Sequence, residues 1–551
     1  MNLISKFLSR TEFSSYDDFY KNAVPTVPHK FNFGYDVVDE YARLCPEKRA
    51  IVWCNSKGEE RIFSFGDVSG ISNRIVNYFI AKGIKKGDYI MTMLNRRWEY
   101  WMTAVACHKL GAVIIPATHL LTPKDIAYRC NSAQVKLIIA TAEDDVVEHI
   151  RLAIDKCNAP CVFTEDVEGF ENFDKGFMAQ SDVLPDIDRP YGDDPLLCYF
   201  TSGTTGQPKM VQHNFEYPVA HIVTAKYWQQ VVDDGLHLTM AETGWAKCSW
   251  GRIYGQWIAG TAQFIYDYNG RFTPTDILPF IGKYKVTTFC APPTIYRFIV
   301  KEDLSLYDLS SLTHCSTAGE ALNAEVFKQF YEATGLKIYE GFGQTESTVI
   351  LANYGDFAEP IPGSLGKPSP VYDIDLIDDE ENTVPDGCEG EIAIKLRPHQ
   401  IGLVANYKGD EARTQEARGG KYYHTGDLAK RDADGVYWFV GRKDDIIKSS
   451  GYRIGPFEVE SALMEHPAVL ECAITGTPDP LRGQVVKATV VLAKGYEPSE
   501  ELKKEMQTFV KRLTAPYKYP RVIEFVEQMP KTVSGKIRRV EIRANDSGNK
   551  R

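Results

Sequence analysis

A glycine- and hydroxyl-rich stretch, TSGTTGQPK at residues 201–209, has the residue types of a phosphate-binding loop. It follows a short apolar run, LLCYF at 196–200, which predicts a buried strand. Gly203 and Gly206 allow backbone conformations in which several N–H groups converge on one anion, and Lys209 adds a positive charge. The G-x-x-x-x-G-K-S/T spacing of the P-loop is absent. A turn followed by a solvated lysine has the same composition, so this stretch alone leaves both interpretations open.

Three further clusters could take part in the same chemistry. EGFGQTES supplies Thr345 as a hydroxyl donor and Glu346 as a hard oxygen ligand suited to Mg²⁺, which takes few protein ligands. HTGDL places Asp427 at a tight turn, where its carboxylate can accept hydrogen bonds from the hydroxyls of a ribose. PKTVSGKI places Lys536 on a second glycine turn. Glu346 alone could be a solvated loop carboxylate, and for HTGDL and PKTVSGKI taken singly an ordinary turn and a basic solvated tail are the favoured interpretations.

The composition excludes several classes of function. The chain has 551 residues, enough for two or more domains, and 44% of them are hydrophobic. The net charge of −11 argues against a broad basic surface for nucleic acid. No apolar run approaches the roughly 18 residues of a membrane helix, and the opening MNLISKFLSR runs into acidic sequence, so we do not expect a targeting peptide. The 12 cysteines form no C-x-x-C pair, which indicates reduced thiols, and we expect a cytoplasmic protein.

Short apolar strands alternate with helical stretches through most of the chain. KLIIAT (136–141), VTTFCAP (286–292), LTHCSTAG (312–319) and LKIYEGFG (336–343) are strand-to-loop units. Their alternation with helices predicts an α/β fold with mostly parallel sheets, in which ligands bind beyond the carboxyl ends of the strands. The glycine-rich loops at 201–206, 319 and 341–343 all follow strands, so we expect them to face a single cleft.

The pattern changes after about residue 370. YDIDLID, GEIAIKL and GVYWFVGR alternate or carry aromatic residues, which is typical of antiparallel strands. The polar stretch KDDIIKSSGYRIGP then leads into a compact α+β unit, in which Ser499 should cap a charged helix. The domain boundary is predicted at Lys443–Asp445, which gives domains of residues 1–443 and 444–551.

The motifs, taken in order, resemble those of the adenylate-forming superfamily, which includes acyl-CoA synthetases, luciferases and adenylation domains. They are TSGTTGQPK, STAGEAL, GFGQTE, YHTGD, GRKDDIIKSSGYRIGP and PKTVSGKI, and the resemblance covers essentially the whole chain. Within the superfamily, ETGWAK, SSGYRIGP and APYKYPR are most similar to medium-chain acyl-CoA synthetases. The resemblance implies a large N-terminal domain of layered α/β sheets with a distorted antiparallel barrel, and a small mobile α+β C-terminal domain.

The resemblance also implies an ATP site. The loop at 201–209 would hold the β- and γ-phosphates, Thr345 the α-phosphate and Glu346 the Mg²⁺ ion. Asp427 and Arg442 would bind the ribose. The implied ATP-binding residues are Thr201, Ser202, Gly203, Thr204, Thr205, Gly206, Gln207, Pro208, Lys209, Gly319, Glu320, Ala321, Glu340, Gly341, Phe342, Gly343, Gln344, Thr345, Asp427, Arg442 and Lys536, of which Gly319, Glu320 and Ala321 line the adenine; the catalytic residues are Thr345, Glu346 and Lys536.

The remaining implied residues serve the acid, coenzyme A and the domain movement. Lys536 would contact the acyl carboxylate during formation of acyl-AMP, after which the C-terminal domain rotates about Asp444. Acetate-specific relatives carry a tryptophan where this chain has Gly343, so the acyl pocket should run deeper here. The implied acyl-site residues are Trp245, Gly343 and Arg453, and the implied coenzyme A residues are Ser450, Gly451, Tyr452, Arg482 and Lys511.

The implied reaction is the ATP-dependent, AMP-forming ligation of a medium-chain or branched carboxylic acid to coenzyme A. Two alternatives remain open: another acyl-adenylating enzyme, such as a benzoate-type aryl-CoA ligase or one that loads a carrier protein, and a P-loop-like ATPase. The sequence assigns neither the preferred acid nor the oligomeric state.

Replacing Lys536 with alanine separates the ligase interpretation from a solvated tail. We expect Lys536→Ala to lower the rate of acyl-AMP formation by on the order of 10²–10³, because one preorganised charge in the transition state is lost. Thioester formation from supplied acyl-AMP should be nearly unchanged. Carboxylate-dependent exchange of diphosphate into ATP measures the first step, and wild-type exchange in the variant would contradict the role.

Overall fold

The computed structural model describes residues 1–143, 145–201, 208–268, 270, 272–320, 322–450, 452–531 and 537–546. Within these ranges the chain forms four β-sheets with helices packed against them. Two large sheets come mainly from the first two thirds of the chain, an antiparallel sheet follows, and the last sheet lies in the C-terminal part. The predicted α/β class is confirmed.

The first part of the chain alternates strands and helices as predicted. Its elements are α1 (Tyr16–Asn22), α2 (Glu40–Leu44), β1 (Arg49–Asn55), β2 (Glu60–Ser64), α3 (Phe65–Ala81), β3 (Tyr89–Met93), α4 (Glu99–Leu110), β4 (Val113–Pro116), α5 (Pro123–Ala133), β5 (Val135–Ala140), α6 (Val146–Ile154), β6 (Cys161–Phe163), β7 (Glu171–Asn172), α7 (Phe173–Met178), β8 (Pro195–Thr201) and β9 (Lys209–Asn214).

The middle of the chain completes the second large sheet. Its elements are α8 (Tyr217–Ile222), β10 (Leu236–Thr239), α9 (Ala246–Gly251), α10 (Tyr254–Ile258), β11 (Ala262–Asp267), α11 (Pro274–Tyr284), β12 (Thr288–Cys290), α12 (Pro293–Ile299), β13 (His314–Ala318), α13 (Ala324–Thr334), β14 (Ile338–Phe342), β15 (Leu351–Ala352) and β16 (Lys367–Pro368).

The last part carries the antiparallel strands. Its elements are β17 (Asp373–Ile377), β18 (Glu389–Lys395), β19 (Asn406–Tyr407), α14 (Glu411–Arg418), β20 (Tyr422–Arg431), β21 (Tyr437–Arg442), β22 (Ile447–Ser449), β23 (Tyr452–Ile454), α15 (Pro456–Met464), β24 (Val469–Asp479), β25 (Gly483–Leu492), α16 (Glu500–Leu513), β26 (Val522–Phe525) and α17 (Arg539–Asp546).

The first large sheet has eight strands in the order β19-β9-β8-β4-β3-β5-β6-β7. Strands β3 to β8 are parallel, whereas β9 runs antiparallel to β8, with Thr201 opposite Lys209. The phosphate loop therefore connects two neighbouring strands of one sheet. Both ends of the loop are held at fixed positions by the strand pairing.

The second large sheet has nine strands in the order β16-β15-β14-β13-β12-β10-β11-β1-β2. Its six central strands, β14 to β1, are parallel, and the strands outside them at both edges are antiparallel. The carboxyl ends of β10, β13 and β14 therefore meet at one edge of the sheet. The segments after these strands contain most of the residues predicted for adenine, α-phosphate and acid.

Local sequence explains where several of these elements begin and end. Ser64 and Asp67 form a reciprocal capping box at the start of α3, and Thr122 and Asp125 do the same for α5. Gly111 ends α4 in a left-handed conformation, with φ of +81°, as the sequence KLGAVIIP predicts before a buried strand. These caps satisfy backbone groups that the helix ends would otherwise leave without partners.

The C-terminal part forms a small α+β unit, as predicted. Strands β22 to β25 make a sheet in the order β23-β22-β25-β24, and β26 adds to β25. The hydroxyl of Ser499 accepts a hydrogen bond of 3.1 Å from the backbone N–H of Leu502, so its predicted capping of α16 is confirmed. The chain leaves the antiparallel sheet β17-β18-β20-β21 at Arg442 and enters β22 at Ile447. A boundary between Lys443 and Asp445 remains a prediction.

The opening residues pack into the large hydrophobic core. Leu3, Ile4, Phe7 and Leu8 are each at most 3% exposed. Among the described residues, no helix combines the length and hydropathy needed to cross a membrane.

Candidate active site

The two large sheets are joined at the predicted site by His213. This residue lies on β9, and its Nε2 donates a 2.8 Å hydrogen bond to the backbone oxygen of Thr345, which follows β14. The ring also stacks on Tyr217 with 3.8 Å between ring centres. Burial lowers the pKa of His213 to about 4, so the imidazole is neutral at physiological pH. Because a carbonyl oxygen can only accept, the proton of the neutral ring is on Nε2.

The phosphate loop is described at its two ends. Thr201 closes β8, Lys209 opens β9, and the predicted residues Ser202, Gly203, Thr204, Thr205, Gly206 and Gln207 lie outside the described residues. The backbone oxygen of Pro208 accepts a 3.3 Å hydrogen bond from the Tyr128 hydroxyl. The ammonium of Lys209 lies 5.7 Å from the ring centre of Tyr407. Burial, and then the charge of Arg413, lower the pKa of Lys209.

Glu346, the predicted Mg²⁺ ligand, is hydrogen-bonded to the segment around Tyr407. The hydroxyl of Tyr407 donates a 3.2 Å hydrogen bond to Oε1 of Glu346, and the backbone N–H of Val404 donates to its carbonyl at 2.6 Å. The carboxylate is half-buried, so it can face a bound ion. Among the described residues, no group of three or more acidic, histidine or cysteine side chains could form a protein-only metal site. A lone carboxylate suits Mg²⁺ that takes its other ligands from water and phosphate.

Gln344 is hydrogen-bonded to Asp427, one of the two residues predicted to bind the ribose. Nε2 of this glutamine donates to Oδ2 of Asp427 at 2.6 Å and to the backbone oxygen of Thr425 at 2.7 Å. Its Oε1 accepts a 3.0 Å hydrogen bond from the Tyr423 hydroxyl, which fixes the orientation of the amide. Asp427 is buried and lies opposite Arg442 in the pairing of β20 with β21. The structure therefore brings together Asp427, Arg442 and Gln344.

The predicted adenine residues follow β13. Gly319 has φ of +103° and open space where a Cβ would lie, whereas the carboxylate of Glu320 accepts a 3.0 Å hydrogen bond from the Thr294 hydroxyl. Ala321 lies outside the described residues. Nζ of Lys247, on α9, donates to the backbone oxygen of Ala318 at 2.7 Å. Lys247 was not among the predicted site residues, although it lies within the ETGWAK motif.

Glu340 was predicted to contact ATP, but its carboxylate is hydrogen-bonded to backbone groups of the protein. It accepts backbone hydrogen bonds from Leu322 at 2.9 Å and Gly363 at 2.7 Å. Burial raises the pKa of Glu340 to about 8, and the two N–H donors oppose this. The side chain therefore fastens the segment after Gly319 to β14.

The space that a side chain at Gly343 would occupy is already filled, and the predicted depth of the acyl pocket stays a prediction. A Cβ added at Gly343 would overlap the indole of Trp250 and lie 2.5 Å from the backbone oxygen of Thr348. Trp250 is buried, and its Nε1 donates a 3.1 Å hydrogen bond to the Ser347 oxygen. Trp250, on α9, occupies the volume that a side chain at position 343 would fill. Trp250, which lies five residues beyond the predicted Trp245, was not among the predicted site residues.

A second tryptophan occupies the space beside Gly341. A Cβ there would come within 2.5 Å of Cε2 of Trp228, whose Nε1 donates to the Tyr339 oxygen at 3.1 Å. The next residue, Phe342, lies 6.4 Å from Phe439 between ring centres. The glycines of GFG therefore permit close packing of the backbone against indole rings.

Trp245, a predicted acyl-site residue, takes the position before α9 and is half-buried. Its backbone N–H donates to the carbonyl of Glu242 at 3.3 Å. Trp245 therefore lies at the start of the helix that carries Trp250. Its role in the acyl site remains a prediction.

The predicted coenzyme A residues lie around β22 and β23. Ser450 has φ of +51°, and its N–H donates to the backbone oxygen of Arg482 at 3.0 Å, so these two residues are together. Tyr452 is half exposed and stacks on Tyr517 with 4.1 Å between ring centres. Arg453 is exposed on the same strand. Gly451 and the catalytic candidate Lys536 lie outside the described residues.

Lys511 lies on α16, where Nζ is 3.8 Å from the ring centre of Tyr519. The guanidinium of Arg521 is 4.8 Å from the same ring centre. Tyr519 and Arg521 both lie in the APYKYPR motif, but neither was among the predicted site residues. Asp444, the predicted hinge, accepts a 3.2 Å hydrogen bond from Nε of Arg442.

Family models match both parts of the chain. Residues 38–400 match the model described as AMP-binding enzyme, and residues 458–536 match AMP-binding enzyme C-terminal domain. Among curated proteins, the chain is 40% identical over 552 residues to Acyl-coenzyme A synthetase ACSM3, mitochondrial, of Mus musculus, covering 97% of this chain and 94% of that one. It is 41% identical over 530 residues to Acyl-coenzyme A synthetase ACSM4, mitochondrial, of Homo sapiens, covering 94% and 91%.

Two solved structures have a similar fold. The anthranilate CoA ligase AuaEII, in complex with anthranoyl-AMP, superposes with a TM-score of 0.85 at 29% identity, covering 94% of this chain and 98% of that one. A benzoate CoA ligase from Burkholderia xenovorans superposes with a TM-score of 0.81 at 25% identity, covering 93% and 100%.

These relatives contradict the expected cytoplasmic location. The relatives named above are called mitochondrial, as is Acyl-coenzyme A synthetase ACSM5 of Homo sapiens, 40% identical over 540 residues, covering 95% of this chain and 92% of that one. The inference from cysteines failed because it separates reducing from oxidising compartments and does not distinguish one reducing compartment from another. All twelve cysteines are free thiols in the structure, as that inference requires.

The match to the AMP-binding model spans more than half of the chain, and the matched relatives cover nearly all of it. The P-loop-like ATPase alternative is therefore wrong, and the resemblance seen in the motifs is confirmed. The chain belongs to the AMP-binding enzyme family.

Proposed function

We propose that this protein ligates a medium-chain carboxylic acid to coenzyme A, with conversion of ATP to AMP and diphosphate. The proposal rests mainly on the contacts of the segment of residues 343–346. In this segment Thr345 lies between Gln344, which is hydrogen-bonded to the proposed ribose ligand Asp427, and the proposed metal ligand Glu346, and His213 donates to the backbone oxygen of Thr345. One short segment thus positions groups for the ribose, the α-phosphate and the metal ion.

In the first step a carboxylate oxygen attacks the α-phosphorus, giving acyl-AMP and diphosphate. Two anions must approach each other, so the site has to neutralise charge that develops on the phosphoryl oxygens. Lys209, at the end of the phosphate loop, supplies one positive charge, and Lys536 is the expected hydrogen-bond donor to the acyl carboxylate. Asp427, oriented by Gln344, holds the ribose and so fixes the α-phosphorus. A Mg²⁺ ion at Glu346 would supply charge neutralisation at the β- and γ-phosphates.

In the second step the thiol of coenzyme A attacks the acyl carbon, and AMP leaves. The thiol needs a path to acyl-AMP, which a rotation of the C-terminal domain about Asp444 would open. Ser450 and Arg482 lie together on the face that would turn inward, and the half-exposed Tyr452 is adjacent. Their exposure is compatible with a surface that docks in only one of the two steps.

The products distinguish this function from its rivals. Full-length protein should convert MgATP, coenzyme A and acids from butyrate to decanoate into thioester, AMP and diphosphate, with lower kcat/KM for acetate. Isobutyrate and benzoate test the branched and aryl alternatives. The relatives at 40–41% identity are named acyl-coenzyme A synthetases, and the aryl-CoA ligases lie at 25–29% identity. Formation of ADP, or a benzoate kcat/KM above that of every alkyl acid, would refute the proposal.

The acyl pocket is proposed to end against Trp250, since its indole fills the space beside Gly343. Replacing Trp250 with alanine should extend the pocket and shift the preferred acid to a chain several carbons longer. Each additional buried CH₂ contributes about 0.8 kcal/mol, or roughly fourfold in kcat/KM. The measurement is kcat/KM across straight-chain acids from acetate to dodecanoate.

Trp245→Ala is the matched comparison, because Trp245 lies at the start of the same helix and was predicted from the sequence. We expect it to change the absolute rates while leaving the preferred length within about two carbons of wild type. A shift in the preferred length with Trp245→Ala alone would make Trp245 the wall instead.

The proposed hinge is tested by Asp444→Pro with Asp444→Ala as its control. Proline fixes φ near roughly −65°, which a rotating residue cannot keep in two domain orientations. Alanine removes the carboxylate that accepts from Arg442 and leaves φ free. We expect Asp444→Pro to retain one half-reaction and lose the other by at least roughly tenfold, while Asp444→Ala keeps both. Equal loss of both half-reactions in Asp444→Pro would place the hinge elsewhere.

A further inference from the structure

A cavity of about 390 Å³ lies beside the described ends of the phosphate loop. Its walls include Lys209, Tyr407, Lys408, Asp410 and Arg413. One water molecule takes about 30 Å³ of the liquid, so the cavity has room for a small solute with several waters. Neither Lys408 nor Arg413 belongs to the residues implied by the family resemblance.

The cavity is strongly cationic. Nζ of Lys408 lies 4.8 Å from the ring centre of Tyr89, and among the residues that the structure describes neither Lys209 nor Lys408 forms an ion pair. Arg413 bonds Asp410 through Nε at 3.1 Å, so its terminal nitrogens, with four N–H groups, are not engaged by that bond. Asp410 also accepts from the backbone N–H of Arg413 at 3.0 Å. Three cations thus face the cavity against one carboxylate that is already hydrogen-bonded.

Two residues connect this cavity to the proposed site of ATP cleavage. Lys209 ends the phosphate loop and lines the cavity. Tyr407 also lines the cavity, and its hydroxyl donates to the proposed metal ligand Glu346. The cavity therefore adjoins both groups proposed to hold the β- and γ-phosphates. Arg413 is part of the reason that the pKa of Lys209 is lowered, after burial, and an anion between these cations would offset their repulsion.

We propose that this cavity receives the diphosphate released in the first step and holds it between Lys209, Lys408 and Arg413. The inference rests on the function proposed above. In that step a bond forms between the carboxylate oxygen and the α-phosphorus, and the bond from that phosphorus to the bridging oxygen breaks, its electron pair leaving with the diphosphate. The freed anion is repelled by the phosphate of acyl-AMP. A neighbouring cationic cavity separates the two products and so opposes the reverse reaction.

The test uses full-length Lys408→Gln and Arg413→Gln, with methylenediphosphonate as a non-hydrolysable probe. Calorimetry should show that each substitution weakens binding of the probe by roughly tenfold, as expected for loss of one charge-assisted hydrogen bond. The inhibition constant of diphosphate against acyl-AMP formation should rise to a similar extent. Lys367→Gln is the control, because Lys367 also lies over a tyrosine ring, 5.1 Å from the centre of Tyr16, and away from the cavity. It should match wild type in both measurements.

The outcomes separate this inference from the proposed function. If acyl-AMP forms normally but probe binding and diphosphate inhibition are the same in all variants, the cavity does not hold diphosphate. If wild type binds the probe, both cavity variants weaken it and no acid yields acyl-AMP, the cavity is a diphosphate site, but the proposed function fails and with it the release of diphosphate in the first step. Inorganic phosphate is the comparison ligand. Phosphate binding as tight as that of the probe would reduce the cavity to a general anion site and overturn the assignment.

Discussion

The close packing of two indole rings against the backbone at Gly341 and Gly343 is the constraint on which the site depends. Trp228 and Trp250 meet edge to face with 6.2 Å between ring centres, and each fills the space where a side chain would stand. Interiors are packed densely enough that a displaced indole has nowhere to go. The strand β14 therefore leaves the sheet at a fixed position, and Thr345 is placed with it.

Hydrogen bonds fix the same segment from its other sides. Glu340 ties its start to the amides of Leu322 and Gly363, while His213 holds the carbonyl of Thr345 from the neighbouring sheet. Gln344 joins it to Asp427 in the antiparallel sheet. Three sheets thus converge on a few residues, and the segment that carries the proposed groups Thr345 and Glu346 is held by contacts within the protein. Such preorganisation is the main contribution that a protein can make to phosphoryl chemistry.

The sequence predicted the parts of this arrangement that depend on local pattern. The α/β class, the strand before each glycine-rich loop, the turn at Gly111 and the cap at Ser499 follow from periodicity and capping residues, and the structure agrees. The family followed from the order of the motifs. The space beside Gly343 could not be predicted, because the residue that fills it comes from a distant helix. A missing side chain is visible in a sequence, but the neighbour that replaces its volume is a tertiary contact.

The proposed second step places a different requirement on the C-terminal residues. Asp427 and Glu340 are buried and bound to partners, as suits groups that act from one fixed place. Ser450, Tyr452 and Arg453 are exposed. A group that serves one step and must withdraw in the other cannot be locked by burial, since leaving would expose apolar surface and break internal hydrogen bonds each time. Arg442 lies between the two classes: it faces Asp427 across a strand pair and donates to Asp444 at the proposed hinge. The proposed ribose contact and the proposed hinge therefore share one guanidinium.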